Sequence, residues 1–361
     1  MNIKNKITVF SMAALLLILS LFCFFGKKDD YSESERRVLA KFPEVSFESV
    51  TTGEFAGDFE KYATDAFPMR DTFRSLKAYT RLYVFLQSDN NGVYVKDGYL
   101  SKLEYPQNEE MQTYAADLFQ KIYNSYLSEN DVYFSMIPDK NMFLTELSMD
   151  YEKLEGDMAE KIPYAKNIEI KDILTEENYY FTDTHWKQES IVDVANRIST
   201  EMGAEISGEY KKIKLDEPFF GVYSGQSALK VKPDSLTYLT NETIDGYKVK
   251  IFDGTKETVL DSAYDMSKIT SKDPYEMFLS GNQPLVTIEN PNAENEKRLV
   301  IFRDSFGSSI APILAEGYSE TVLVDLRYLN SDFLPMLVDF EGADVLFLYS
   351  SLILNSSMSM K

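Results

Sequence analysis

The chain contains one histidine, His185, in the run FTDTHWKQE (Phe181 to Glu189), which also holds the only tryptophan, Trp186. Asp183 precedes His185 by two positions. In an extended or turn backbone, residues i and i+2 project to the same side. The Asp183 carboxylate is therefore placed to accept a hydrogen bond from one ring nitrogen, which fixes the tautomer and leaves the other nitrogen free to act as a base. A helix cap at Asp183 or Thr182, with His185 as a surface residue, accounts for the same pattern equally well. A second candidate lies in VIFRDSFGSS (Val300 to Ser309), where an apolar run ends at Asp304, Ser305, Phe306 and Gly307. A serine at the carboxyl end of a parallel strand sits where open α/β sheets place ligands. The amides that follow it, Phe306 first, can hold an oxyanion. Ser305 as a helix cap is the plainer alternative. Taken together, Ser305, His185 and Asp183 make a nucleophile, a general base and its orienter.

With one cysteine, Cys23, and one histidine, neither an intrachain disulfide nor a zinc site built from Cys and His can be assembled. A metal-dependent hydrolase using Asp183, His185 and neighbouring acids would be restricted to mostly hard oxygen ligands.

The elements that must position these residues are legible in the rest of the chain. It has 361 residues, 44% apolar and 26% charged, which suits two domains or one large α/β domain. A net charge of −21 would repel a phosphate backbone and excludes nucleic acid as a partner. Ile7 to Phe25 carries no charge, is flanked by Lys4 and Lys6 before and Lys27 and Lys28 after, and is long enough to span a bilayer. Its bulky end at Phe22, Phe24 and Phe25 does not suit signal cleavage, and Phe22 before Cys23 does not suit lipidation. The segment reads as an uncleaved single-pass anchor of the cytoplasmic membrane, with a short cytoplasmic stub and the large domain outside.

Residues 1–26 are thus the stub and anchor, 27–50 a polar juxtamembrane linker, and 51–361 the catalytic domain. Helical spacing runs over Gly53 to Leu86, interrupted at Pro68, and again over Met111 to Leu127. Ile191, Val194, Ala195, Ile198 and Met202 follow helical spacing, so Asp183 and His185 lie on the loop before a helix. Apolar runs at Val132 to Pro138 and beginning at Arg298, Thr321 and Asp344 suit buried strands separated by crossover helices. A polar stretch from about 203 to 297, rich in Thr, Tyr, Gly and Asp, reads as a β-rich insertion.

The DTHW run together with the late FRDSFG resembles the DHHW family and its relatives, the alginate O-acetyltransferases. Further blocks stand in the expected order: ESERRVLAKFPE, FEKYATDAFPMRD, NNGVYVKDGYL, SMIPDKN, DPYEMFLSGN and VDLRYL. The resemblance implies an SGNH-hydrolase-like three-layer α/β sandwich with a parallel central sheet. It further implies a membrane-anchored extracytoplasmic enzyme that transfers acetyl groups to a cell-surface or secreted polysaccharide through an acetyl-serine. By position Ser305 matches the nucleophile, His185 the base, Asp183 its partner, and Arg327 a substrate-binding arginine. Gly281 and Asn282 in LSGN stand as oxyanion candidates beside Phe306. Thr184 replaces a second histidine, Arg303 replaces the glycine of the usual Gly-Asp-Ser block, and KQES follows Trp186 where a small Gly-Ala pair is usual. The implied acetyl donor is a membrane-bound O-acyltransferase, and no cofactor is implied. Two other readings stand beside the transferase: a carbohydrate acetylesterase with the same triad, and a non-catalytic glycan-binding envelope protein.

Overall fold

A computed structural model describes residues 2–25, 29–32 and 34–361, so the flanking charges at Lys27 and Lys28 lie outside the described residues. Its contacts divide into two compact units. One comprises Met1–Val93 with Ser224–Val231, and the other Tyr94–Tyr223 with Lys232–Lys361. Residues 51–93, which the sequence groups with the α/β domain, therefore make their contacts in the first unit.

The first unit begins with helix α1 (Ile3–Phe25), which carries Lys4 and Lys6 in its first turn and no charge from Ile7 onward. Its Ile3–Cys23 portion, 21 residues, is long and apolar enough to cross a membrane. Part of the expected linker is ordered by charge. Strands β1 (Tyr31–Ser32) and β2 (Arg37–Val38) pair antiparallel, and Arg37 grips Asp65 with two hydrogen bonds at 2.8 and 2.5 Å. Helix α2 (Phe47–Thr52) starts at a reciprocal Ser46–Ser49 capping box, and Gly53, at φ +84°, turns the chain into α3 (Glu54–Asp65). The helical run breaks around Pro68, as its missing N–H requires, and resumes as α4 (Arg70–Tyr79), prolonged by a π turn over Thr80–Val84.

The second unit is a three-layer sandwich. In chain order it contributes β3 (Val93–Lys96), β4 (Tyr99–Lys102), α5 (Glu109–Ile122), β5 (Val132–Ile137), α6 (Tyr151–Lys161), β6 (Lys166–Asn167) and α7 (Val192–Glu201). There follow β7 (Lys211–Phe219), β8 (Asp234–Thr240), β9 (Lys248–Phe252), β10 (Glu257–Leu260), β11 (Leu285–Glu289), β12 (Arg298–Arg303), α8 (Gly307–Leu314), β13 (Glu320–Val324) and β14 (Ala343–Ser350). The central sheet has the order β10-β9-β11-β13-β12-β14-β5-β6. The five strands from β13 to β6 are parallel, while β11, β9 and β10 extend the sheet antiparallel. The expected insertion at 203–297 is therefore only partly separate. Its β7–β8 ribbon stands alone, but its other three strands complete the main sheet, because β11 pairs with β13 through Leu285–Glu289.

Side chains alternate across the sheet with the period of a strand. Leu299, Ile301, Leu323, Leu346 and Leu348 pack on one face with Val194, Ala195 and Ile198 of α7 and Ile310, Ala311 and Ile313 of α8. Val300, Phe302, Val324, Val345 and Phe347 pack on the other with Ala115, Phe119 and Ile122 of α5 and Leu154 and Met158 of α6. From β12 the chain crosses to β13 over the first face through α8. It returns from β13 to β14 over the second face, where Leu334, Val338 and Phe340 are buried. Strand order thus reverses around β12, and the carboxyl end of a strand at such a reversal opens a crevice.

Candidate active site

Ser305 lies in that crevice, in the turn between β12 and α8. It is the only residue from Ile301 to Ile310 that is not buried. Asp304 shapes the turn. Its Oδ1 accepts from the Phe306 N–H at 2.9 Å, and its Oδ2 accepts from the N–H and hydroxyl of Ser350, at the end of the adjacent β14, at 2.8 and 2.6 Å. This corrects one sequence expectation. The Phe306 amide is spent inside the turn on Asp304 and is not a free oxyanion donor. Among the described residues no acceptor takes the N–H of Ser305 itself, which leaves that amide beside the hydroxyl as the donor available to an oxyanion.

His185 reaches Ser305 from a tight loop. An isolated antiparallel bridge between Tyr179 and Trp186, with Tyr180 N–H donating to the His185 carbonyl at 3.1 Å, closes residues 180–185 into a hairpin. Within it Nδ1 of His185 lies 2.6 Å from Oδ1 of Asp183, and Nε2 lies 2.7 Å from Oγ of Ser305. A carboxylate can only accept, so Nδ1 carries the proton and Nε2 presents a lone pair to the serine hydroxyl. Asp183 is fully buried and its Oδ2 accepts from the Val222 N–H at 2.8 Å. The backbone at Gly221 passes so close that a Cβ there would lie 2.3 Å from the Asp183 Cβ, so only glycine fits.

Three further groups hold this hairpin. Asp234 accepts from the N–H of Phe181 and from the N–H and hydroxyl of Thr182, at 2.9, 2.8 and 2.6 Å. The buried Lys140 donates to the carbonyls of Tyr180 and Asp183 at 2.9 and 2.7 Å and lies over the rings of Tyr223 and Tyr99, 5.1 and 5.7 Å from their centroids. Burial pulls its ammonium down to about 7, against the attraction of Asp183, Asp234 and Asp139. Trp186 Nε1 donates to the Phe306 carbonyl and to Ser309 Oγ at 3.1 and 2.9 Å, tying the histidine loop to the serine turn.

Tyr275 stacks on the imidazole, with ring centroids 3.9 Å apart and planes 9° from parallel, and donates its hydroxyl to Ser309 Oγ at 2.9 Å. Burial raises the Tyr275 phenol well above its usual range, so it remains a neutral donor. Ser309 thus accepts two hydrogen bonds and donates one to the Phe306 carbonyl.

The structure brings Ser305, His185 and Asp183 into one hydrogen-bonded chain and gathers Arg327, Gly281 and Asn282 into a second cluster. Arg327 makes two hydrogen bonds to Asp325 at 2.9 and 2.6 Å, reaches Asn282 Oδ1 at 3.4 Å and lies over the ring of Tyr328. Arg303 occupies the place of the expected glycine. Its side chain is fully buried, pairs with Asp325 at 3.5 Å and donates to the Gly281 carbonyl at 3.3 Å. Desolvation lowers its pKa, with Asp325 opposing. Gly281 sits at φ +80° with its own N–H donated to Phe278, so it too is not a free oxyanion donor, whereas Asn282 is exposed.

Lys140, Tyr275, Asp234, Gly221 and Asp304 are the members of the site that sequence reasoning assigned no role. Lys140 and Tyr275 lie within SMIPDKN and DPYEMFLSGN, the blocks quoted for the family resemblance.

A DHHW family protein from Eubacterium siraeum matches with a TM-score of 0.61 at 21% identity, over 74% of this chain and 93% of that one. The two share a fold. A structure of PatB1 from Bacillus cereus matches this chain with a TM-score of 0.58 at 20% identity, over 73% of this chain and 96% of PatB1. A further PatB1 structure, with a sulfonyl adduct, matches at 0.56 and 21%, over 73% of this chain and 97% of that one. The O-acetyltransferase domain of AlgJ from Pseudomonas putida matches with a TM-score of 0.43 at 13% identity, over 73% and 92% of the two chains. No protein-family model and no curated protein matches the sequence.

Proposed function

We propose that this chain is a membrane-anchored serine O-acetyltransferase that works outside the cytoplasmic membrane and places acetyl groups on a cell-surface or secreted polysaccharide. The observation that carries the reading is the relay from Asp183 Oδ1 through His185 to Ser305 Oγ, with both links at 2.6 to 2.7 Å. In this reading Ser305 Oγ attacks the carbonyl carbon of an acetyl donor as His185 Nε2 takes its proton. The N–H of Ser305 meets the oxyanion, and Asp183 stabilises the imidazolium. Collapse expels the donor's leaving group with the proton from Nε2 and leaves acetyl-Ser305. A sugar hydroxyl then gives its proton to Nε2, attacks the acetyl carbon and departs as the ester while Oγ recovers the proton. The donor proposed from the sequence resemblance is a membrane-bound O-acyltransferase, and Arg327 with Asn282 would contact the acceptor.

Hydrolysis is the second reading, favoured by the partial exposure of Ser305, which admits water to the same acetyl-serine. The test is turnover of a chromogenic acetyl ester, followed with and without added glycan. Turnover lost in Ser305→Ala and His185→Ala, with acetyl appearing on the glycan, supports transfer. Release of acetate alone supports the esterase. Equal rates in the wild type and both variants would leave a glycan-binding protein without catalysis. Labelling by a sulfonyl fluoride, which reacts with activated serines, gives an independent readout at Ser305.

A further inference from the structure

We propose that Tyr275 is a positioning residue of the relay: its ring face holds the His185 imidazole in plane and bears the positive charge that forms there as Ser305 gives up its proton. The proposal rests on His185 acting as the base, and it adds a group that stabilises the charged form of that base. The two rings lie 3.9 Å apart at their centroids and 9° from parallel, so the imidazole meets the π face of the phenol and not its edge. That face is the negative end of the aromatic quadrupole and attracts a cation lying within about 6 Å of its centroid. A neutral imidazole gains little from it. An imidazolium gains more, so the contact is worth most as the proton is transferred.

The surroundings leave this role to the ring. His185 is buried, so water has little access to its faces. Its Nδ1 is taken by Asp183 and its Nε2 faces Ser305, while the Phe306 ring meets it 4.9 Å away at a tilt of 54°. The other charged groups around it are engaged elsewhere. Lys140 bonds the carbonyls of Tyr180 and Asp183, Lys187 bonds that of Glu177, Asp234 bonds Thr182, and Asp304 bonds Phe306 and Ser350. Tyr275 itself is fixed at both ends. Its N–H donates to Asp273 at 3.2 Å in the turn Pro274–Met277, and its hydroxyl donates to Ser309 Oγ, the oxygen that also receives the Trp186 indole. Phe278 and Tyr180 pack on the ring at 5.1 and 6.3 Å, so it cannot turn away without losing these partners.

The single histidine makes the test direct. A full-length chain in detergent, free of any histidine tag and grown on isotope-labelled histidine, gives one imidazole signal by NMR. Tyr275→Phe keeps the π face and leaves Ser309 Oγ with Trp186 and the Phe306 carbonyl as partners. Tyr275→Met fills the slot with a flexible thioether and no ring. The ring current should shield the imidazole protons in the wild type and in Tyr275→Phe but not in Tyr275→Met. The pH at which the imidazole titrates should drop by about one unit in Tyr275→Met and stay in place in Tyr275→Phe. On the chromogenic acetyl ester, kcat should fall about tenfold in Tyr275→Met with KM little changed. Tyr275→Phe made with a fluorinated ring, of similar shape but weaker π face, should fall between the other two, and it reads the charge even where Tyr275→Met does not fold. A titration shared by the wild type and Tyr275→Met, a Tyr275→Phe that loses as much as Tyr275→Met, or a fluorinated ring that behaves as the plain one would overturn the proposal, since a merely structural ring gives these results. Equal turnover in the wild type and Ser305→Ala would overturn the catalytic reading instead. The titration is read without substrate, so the two failures are told apart.

Discussion

The indole of Trp186 donates to the carbonyl of Phe306 at 3.1 Å, and each of these residues is the immediate neighbour of a member of the hydrogen-bonded relay, His185 on one side and Ser305 on the other. The only tryptophan in the chain is thus a strut between the loop of His185 and the turn of Ser305. Trp186→Phe keeps most of the packing and removes the N–H. Because catalysis falls about 10²-fold for misplacements near 1 Å, the variant should lose kcat on a chromogenic acetyl ester with KM little changed. An unchanged kcat would show that the strut does not position the site.

Asp183→Asn leaves the geometry near His185 intact but allows the amide to donate to Nδ1 and reverse the tautomer. By analogy with other triads the loss in kcat should be about 10⁴-fold. Sulfonyl fluoride labelling of Ser305 should slow in parallel. Rapid labelling with lost turnover would instead place Asp183 in the acceptor step.

Gly221→Ala puts a methyl 2.3 Å from the Asp183 Cβ, against a backbone that is itself hydrogen-bonded to the hydroxyl of Thr182. Overpacking of this kind costs about 1–3 kcal/mol. The urea midpoint should fall, and kcat should fall further than a distant variant of equal stability loss would give.

Lys140 supplies a pH test. Its pKa in the fold, about 7, lies below the ordinary 10.5 because the ammonium is desolvated. Between these values the unfolded chain binds more protons than the folded one, so this group makes stability rise with pH across that window and fall as pH drops toward 7. The neutral amine still has two N–H groups for the carbonyls of Tyr180 and Asp183. Unfolding free energies measured from pH 6 to 10 in wild type and Lys140→Met should therefore diverge upward for the wild type as pH rises. Parallel profiles would mean that the ammonium titrates normally.

Asp325 holds two guanidinium groups, Arg303 and Arg327, in a place where its own side chain and that of Arg303 are fully buried. Asp325→Leu leaves Arg303 charged and unpaired, which should cost about 3–5 kcal/mol. Arg303→Met/Asp325→Leu should recover much of that loss. Failure of the double variant to recover would show that Arg303 is held by the Gly281 carbonyl and not by charge.

Local chemistry carried a large part of this protein. An uncharged run of membrane length, the apolar runs that became β5, β12, β13 and β14, and the two short motifs holding Asp183, His185 and Ser305 are all properties of neighbouring residues. Local periodicity and residue type suffice to read them. The charged 27–50 stretch was less legible, because the Arg37–Asp65 pair that orders part of it joins positions 28 apart. The assignment of β9, β10 and β11 to the main sheet was hidden for a similar reason, since an edge strand is defined by its partner and not by its own composition.

Only the tertiary structure decided which groups complete the site. The ring that stacks on His185, the ammonium that clamps its loop and the glycine that admits Asp183 each come from a different part of the chain, and their roles exist only as distances. It also decided that the Phe306 amide is spent on Asp304 while the amide of Ser305 meets no acceptor among the described residues. A sequence states which donors and acceptors a chain owns; folding determines how they pair, because each buried polar group must take a partner within about 3 Å wherever the chain happens to bring one.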